Sequence, residues 1–422
     1  MNYALIKKGP IGGDVLIPPA KSYGHRSIIS AALSNEPSLI HNVDMSEDMK
    51  ATLNFLKALG GSFEYENRTL RINPINRNIK ECEIDCGESG STLRFIIPIL
   101  ASLGVKAKLT GKGRLPERPL DIYTELLPSF GVNFTSNHLP LELSGQLKSG
   151  IFKLRGDVSS QFISGLLFAL PMLNGDSEIE IIGSLESGAY IDMTIEMLKL
   201  YGVKIEKREK GYFVKGNSAY KASDYTVEGD WSQAAFFMTM GALSEDYINV
   251  QGLNLDSIQG DKETLKLYEK IGADIKNENG VIKIKKGKLN PINADMHDMP
   301  DAVPALASLL SLCDGRSVIS GAKRLRIKES DRLKAISEAI KALGGKIEET
   351  DDGLIIDGVK KLKGNLVSSC NDHRILMAMA SVKKETEGEI KLTDPMCVNK
   401  SYPGFYEDYK KLGGEADVIY MG

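Results

Sequence analysis

Ile340-Lys341-Ala342-Leu343-Gly344-Gly345 follows the pattern apolar-x-x-apolar-Gly-small, and the rest of the chain repeats it. Upstream stand Tyr268-Glu269-Lys270-Ile271-Gly272-Ala273, Leu198-Lys199-Leu200-Tyr201-Gly202-Val203, Leu127-Pro128-Ser129-Phe130-Gly131-Val132 and Leu56-Lys57-Ala58-Leu59-Gly60-Gly61. Downstream stands Tyr409-Lys410-Lys411-Leu412-Gly413-Gly414. The glycines fall at 60, 131, 202, 272, 344 and 413, with successive gaps of 71, 71, 70, 72 and 69, a regularity that excludes coincidence. Each glycine reads as the left-handed cap of an amphipathic helix, and the apolar alternation behind it opens a strand. The period is too long for a solenoid, so each copy is a small module of helices and strands.

A second landmark runs in phase with the first. Strand-like segments turn into helices at Ser22, Ser91, Ser160, Ser232, Asp301 and Asp372, each 69 to 72 residues from the next. Every copy is therefore expected to present a helix N-terminus with a Ser- or Asp-type cap. Apolar runs follow, such as Ile28 to Leu33 and Phe162 to Leu170, so these helices are expected to be buried and to pack in threes. The predicted fold is α/β, built from α+β repeats. Two inverse α/β domains hold three modules each, with helix N-termini facing the interdomain cleft. Residues 21–227 form one domain and residues 1–20 plus 228–422 the other, Met1 to Ala20 supplying strands missing from the last module.

At 422 residues the chain exceeds one ordinary core. A formal charge of −3 argues against general affinity for nucleic acid or anionic membranes, so bound anions need locally concentrated cations. Cys82, Cys86, Cys313, Cys370 and Cys397 are odd in number and lack paired CxxC spacing, as expected of reduced cytoplasmic thiols without a zinc site. No signal-peptide core or bilayer-length apolar run is present.

The charges are concentrated at the junctions. Arg324-Leu325-Arg326-Ile327-Lys328-Glu329-Ser330-Asp331-Arg332 follows an apolar segment and leads into a helix, where backbone N–H groups lack intrahelical partners and favour an anion. A salt-bridged helix cap is the competing reading. Other junctions offer Lys21, Ser22, His25 and Arg26, then Ser91 and Arg94, then Ser159, Ser160 and Gln161, then Asp301 and Asp372-His373-Arg374. Arg114, Arg118 and Lys400 lie between them. Cations at helix N-termini oppose the dipole and cost stability unless an anion is bound. Their number, with Ser hydroxyls and no acidic metal cage, points to substrates carrying several phosphates or carboxylates.

Eight blocks in this order resemble the enolpyruvylshikimate-phosphate synthase family over essentially the full length. They are Lys21-Ser22-Tyr23-Gly24-His25-Arg26, Gly90-Ser91-Thr92-Leu93-Arg94, Glu117-Arg118-Pro119, Val158-Ser159-Ser160-Gln161, Met299-Pro300-Asp301-Ala302, Lys328 to Leu333, Asp372-His373-Arg374 and Lys400-Ser401-Tyr402-Pro403. The resemblance implies transfer of the enolpyruvyl group of phosphoenolpyruvate to the 5-hydroxyl of shikimate 3-phosphate, by addition–elimination through a tetrahedral intermediate, with no metal or cofactor. It assigns shikimate 3-phosphate to Lys21, Ser22, Arg26, Ser159, Ser160, Gln161, Ser187, Tyr190, Asp301 and Lys328, most of them in domain 21–227. It assigns phosphoenolpyruvate to Lys21, Gly90, Arg94, Arg118, Gln161, Arg332, Arg374 and Lys400. Asp301 would be the base at the hydroxyl, Glu329 the proton relay at the methylene, and Lys21 a general acid toward the departing phosphate. Both substrates are small molecules; the protein is expected to act as a cytoplasmic monomer whose domains swing together on binding, with glyphosate competing against phosphoenolpyruvate.

Two positions depart from the pattern: Glu88 stands where many members have Asn, and Arg324 where some have an Asn that touches shikimate 3-phosphate. The rival transferase acting on UDP-N-acetylglucosamine carries a reactive Cys before its Arg-Pro pair, and Gly111 to Pro119 has none. A non-catalytic anion binder on the same repeat is the other alternative; it would not need Asp301, Glu329 and Lys21 together. His25 reads as structural and His373 as supporting, because His41, His138 and His297 form no metal spacing with them.

Overall fold

The computed structural model describes residues 2–420. The chain divides into two compact units, Pro19–Glu228 and Met1–Pro18 with Gly229–Gly422, each with its own hydrophobic core. The described residues form twelve α-helices, two per module, numbered in chain order. The first unit holds α1 (Lys21–Leu33), α2 (Glu47–Ala58), α3 (Gly90–Leu103), α4 (Asp121–Leu126), α5 (Ser160–Ala169) and α6 (Gly188–Leu200). The second holds α7 (Trp231–Ala242), α8 (Thr264–Ile271), α9 (Val303–Leu310), α10 (Arg332–Ala342), α11 (His373–Ser381) and α12 (Phe405–Lys411).

Each module is strand, helix, strand, helix, strand, strand, and among the described residues all six four-stranded sheets take the order first, second, fourth, third. The first two strands are parallel, as Glu81–Asp85 with Lys106–Thr110, because the odd-numbered helix supplies the crossover. The last two form an antiparallel hairpin, as Lys346–Glu349 with Leu354–Asp357. All six repeat glycines have φ between 75° and 98°, so the left-handed cap read from the sequence is present in every copy.

Strand borrowing closes each unit. Asp224–Thr226 lies parallel to Ser38–His41 and completes the first module from the far end of its unit. Tyr3–Lys8 enters the last module between Ile390–Thr393 and Glu415–Ile419. Gly13–Leu16, however, pairs with Ile248–Gln251 in the fourth module, not the last. The expectation for residues 1–20 is corrected there: the segment before α7 is already committed to the first module, so the fourth must take its opening strand from elsewhere.

The capping expectation is corrected at two of six junctions. Ser89, Ser159, Asp230 and Asp372 accept backbone N–H bonds at the starts of α3, α5, α7 and α11. Before α1 stands Ala20, and before α9 Ala302, neither with a side-chain cap. Asp301 instead lies in a 3₁₀ turn, Pro300–Ala302, with its carboxylate engaged by Arg332 and Lys328 of its own module and Arg374 of the last. In the second unit α7, α9 and α11 pack pairwise as a buried trio. In the first, α3 packs on α5, while α1 leans on α2 and α6.

Candidate active site

In the unit Met1–Pro18 with Gly229–Gly422, two modules deliver charge to one place and a third adds the Ser232 hydroxyl. Arg332, first residue of α10 and almost fully buried, donates Nε to Asp372 Oδ2 at 2.7 Å, Nη1 to Asp301 Oδ1 at 3.0 Å and Nη2 to Glu329 Oε2 at 2.6 Å. Arg374, in the first turn of α11, donates Nη1 to the Asp301 carbonyl at 2.8 Å and Nη2 to Asp301 Oδ2 at 3.2 Å and Ser232 Oγ at 2.9 Å. Lys328 Nζ lies 3.4 Å from Asp301 Oδ1. Three cations thus face three carboxylates.

The electrostatics follow from that count. Burial alone raises the Asp301 carboxyl, but Arg374, Lys328 and Arg332 outweigh it and hold the group well below the usual carboxylate range. Burial likewise works against Asp372, and Arg332 reverses it. Asp372 also accepts the Arg374 backbone N–H at 2.9 Å and the Ser330 hydroxyl at 2.9 Å, so one carboxylate fixes the ends of α10 and α11 together.

The nine-residue run divides between its two readings. Asp331 caps α10 through Lys334 N and pairs with Arg326 at 3.0 Å, and Arg326 also reaches Glu349, which is the salt-bridged cap. Lys328, Glu329 and Arg332 turn to Asp301 and its neighbours. Arg324 Nη2 donates to the His297 carbonyl at 2.8 Å. Lys400, buried, donates Nζ to the Asn371 carbonyl at 2.6 Å, and Cys370 and Asn371 both adopt φ of 52° to present that oxygen beside Asp372. Burial pushes the neighbouring Cys397 thiol up to about 12, which removes it as a nucleophile near neutrality.

The unit Pro19–Glu228 builds a second set. Lys21 Nζ bonds Asp48 Oδ2 at 2.7 Å. Arg26, buried beneath the Phe95 ring, donates to Thr194 Oγ1 at 2.8 Å, Ser22 O at 2.8 Å and Tyr190 O at 2.7 Å, so one guanidinium joins α1 to α6; burial lowers it to about 10. Arg94 Nη1 donates to Gln161 Oε1 at 2.7 Å and lies over Phe162, while Gln161 Nε2 donates to Ser91 Oγ at 2.8 Å. Ser159 Oγ accepts Gln161 N at 3.3 Å, Ser160 opens α5, and Ser187 is buried with φ of 52° where α6 begins.

Gly90 meets Arg118 directly. A Cβ on Gly90 would lie 2.5 Å from Arg118 Nη1 and 2.7 Å from Cζ, so the guanidinium rests on bare backbone. Gly90→Ala is therefore expected to displace the Arg118 guanidinium, checked by a crystal structure of the variant.

His25 supports this set from beneath. Its Nδ1 lies 2.6 Å from Thr52 Oγ1, which contacts Thr92 Oγ1 at 2.8 Å, and Thr92 Oγ1 donates to Ser89 Oγ at 2.8 Å, tying α1, α2 and α3 at the ends that carry Lys21, Asp48 and Gly90. Burial first, then Lys21 and Arg26, hold the imidazole well below its ordinary value of 6.5. A group lowered on folding contributes stability above its unfolded pKa that is lost as pH falls. The protein is thus expected to weaken as pH drops below about 6.5, and His25→Asn to blunt that loss in thermal melts across pH 5–8.

The sequence reading missed the partners of these cations: Asp48, Thr194 and the bridging role of Asp372. Asp48 and Thr194 sit in helices otherwise read as packing, and only an i, i+4 Asp48–Thr52 face in α2 hinted at one of them. The expected cost of cations at helix N-termini is offset accordingly, because Asp301, Glu329, Asp372 and Asp48 lie against them. Among the described residues no three His, Cys, Asp or Glu side chains cluster to hold a metal ion, and no helix is long and apolar enough to cross a membrane. All five cysteines are unpaired.

This fold is shared with the enolpyruvyl transferase NikO from Streptomyces tendae, with a TM-score of 0.81 at 17% identity over 100% of this chain and 99% of that one. The EPSP synthase of Acinetobacter baumannii superposes with a TM-score of 0.83 at 25% identity over the whole of both chains. In sequence, the 3-phosphoshikimate 1-carboxyvinyltransferases of Clostridium kluyveri and Clostridium novyi are 45% and 44% identical, covering 100% and 98% of both chains. The model of the EPSP synthase (3-phosphoshikimate 1-carboxyvinyltransferase) family matches residues 6–409, and the chain belongs to that family.

Proposed function

We propose that the two residue sets together carry out enolpyruvyl transfer from phosphoenolpyruvate to the 5-hydroxyl of shikimate 3-phosphate, the reaction of this transferase family in the shikimate pathway. The observation that carries the assignment of roles is Asp301, a single carboxylate bonded by Arg332 and Arg374 and approached by Lys328.

Arg332 and Arg374 bind the carboxylate of phosphoenolpyruvate, and Lys21, Arg118 and Lys400 its phosphate, with Gly90, Arg94 and Gln161 shaping that pocket. Ser22, Arg26, Ser159, Ser160, Gln161, Ser187, Tyr190 and Lys328 hold shikimate 3-phosphate. Arg374, Lys328 and Arg332 hold the Asp301 carboxyl below the usual carboxylate range. A substrate carboxylate that draws Arg332 and Arg374 onto itself relieves that hold and raises the Asp301 pKa when the hydroxyl is in place. The hydroxyl oxygen then attacks C2, giving its proton to Asp301, while Glu329 relays a proton to C3; loss of phosphate, protonated by Lys21, with return of a C3 proton to Glu329, leaves the enolpyruvyl ether. The fixed cations oppose the charge that develops, and aligning two anions contributes roughly 7–11 kcal/mol of barrier lowering.

The chain is inferred to work in the cytoplasm as a monomer. The test is phosphate release from phosphoenolpyruvate with shikimate 3-phosphate beside a parallel reaction with UDP-N-acetylglucosamine. Release with the first acceptor alone supports the reading; release with the nucleotide sugar overturns the acceptor; release with neither overturns the enzyme.

A further inference from the structure

The parallel strands Glu81–Asp85 and Lys106–Thr110 end level with each other, Asp85 opposite Thr110, and the loops that leave them stay in register. Cys86 N donates to Thr110 O at 2.9 Å and Lys112 N to Gly87 O at 2.8 Å. Beyond those bonds the loops exchange side chains. The Arg118 guanidinium of the second loop lies on Gly90 of the first, and the Glu88 carboxylate of the first lies on Gly113 of the second, where a Cβ would come within 2.6 Å of Glu88 Cδ. Gly113 holds φ of 60°, so both the left-handed turn and the close approach require glycine there.

We infer that this reciprocal exchange is a latch, and that Glu88 is a positioning residue that sets Arg118 for the phosphate of phosphoenolpyruvate. The inference rests on the phosphate role given to Arg118 above. Glu88 is two residues from Gly90, and its carboxylate covers the turn that opens the Arg118 loop. Without it the segment from Gly111 to Glu117 is held by the Lys112–Gly87 bond, by buried Leu115 and by the Arg114–Glu117 pair at 3.3 Å, the last of which lies within the loop itself. A cation on a loop free to shift loses the orientation that makes a charge-assisted bond strong, whereas a fixed one retains it. Glu88 also adds a negative charge to a loop carrying Lys112, Arg114 and Arg118, so reach and charge both favour the seated form.

The test is a double-mutant cycle read as KM for each substrate. Glu88→Ala is expected to raise KM for phosphoenolpyruvate about tenfold while KM for shikimate 3-phosphate stays within about twofold, and Glu88→Gln, which keeps the reach, to restore most of the loss. In an Arg118→Ala background Glu88→Ala is expected to change KM by less than about twofold, because the latch acts through Arg118. Tryptic cleavage after exposed Lys112 is expected to quicken in Glu88→Ala alone. Equal effects of Glu88→Ala in both backgrounds, or equal rises in both KM values, overturn the latch. An Arg118→Ala protein with unchanged KM for phosphoenolpyruvate overturns instead the role of Arg118 on which the latch rests.

Discussion

Asp301→Ala is expected to lower phosphate release by about 10²–10⁴-fold, the span typical for removal of a positioned general base, while the protein still binds shikimate 3-phosphate. A hydroxyl does not add to a vinyl carbon at neutral pH unless its proton has somewhere to go, and Asp301 is the carboxylate bonded by both Arg332 and Arg374. Asp301→Asn keeps the shape and loses the basicity, so it separates positioning from proton transfer: a kcat as low as that of Asp301→Ala assigns the proton to the carboxylate. A variant that retains a tenth or more of the parent rate would reassign the base. Binding measured by calorimetry in the same variants shows whether the charge is also needed to hold the ligand.

Arg332→Ala is expected to be the most damaging single change to the fold. Arg332 is hydrogen-bonded to Asp301, Glu329 and Asp372, and Asp372 is fully buried. Removing it leaves three carboxylates with reduced compensation in a low-dielectric setting, a loss of about 3–5 kcal/mol by comparison with other broken buried pairs. Urea unfolding followed by circular dichroism checks the magnitude. Arg332→Lys is expected to recover little, since one ammonium cannot fork to three acceptors. The acid limb should change as well. Asp301 and Asp372 are held below their ordinary value of 3.8, so each contributes stability above that pH which is lost as the solution becomes more acidic. With Arg332 gone that support disappears, and acid unfolding is expected to begin at a higher pH.

Much of the architecture was legible because it is written locally and six times over. A left-handed glycine behind an amphipathic helix leaves the same mark at Gly60 and at Gly413, and the spacing between marks measures the module. Helix ends were legible for the same reason, down to Asp372 and Ser159 as caps. What the pattern does not contain is pairing between helices. Nothing around Asp48 announces that its partner is Lys21, and Thr194 resembles any buried threonine until Arg26 reaches it from another helix. The run from Arg324 to Arg332 was ambiguous because its two readings are both realised, on alternate residues that local sequence cannot sort. Gly13–Leu16 went to an unexpected module because strand exchange is settled by which edge remains open, a property of the assembled sheet.

The placement of Tyr3–Lys8 has a consequence for how the chain comes off the ribosome. Tyr3 pairs with Thr393 on one side and Ile419 on the other, so this strand has no partner in its sheet until nearly the whole polypeptide has been made. Pro19–Glu228 waits for nothing: its closing strand, Asp224–Thr226, arrives with its own last residues. Synthesis therefore imposes an order, with the inserted unit complete and folded while Ala4 and Ile6, which end fully buried, remain open to water and to other chains. The contacts of highest sequence separation close last and form most slowly, which makes a strand translated before the inserted unit one of the last to find its place.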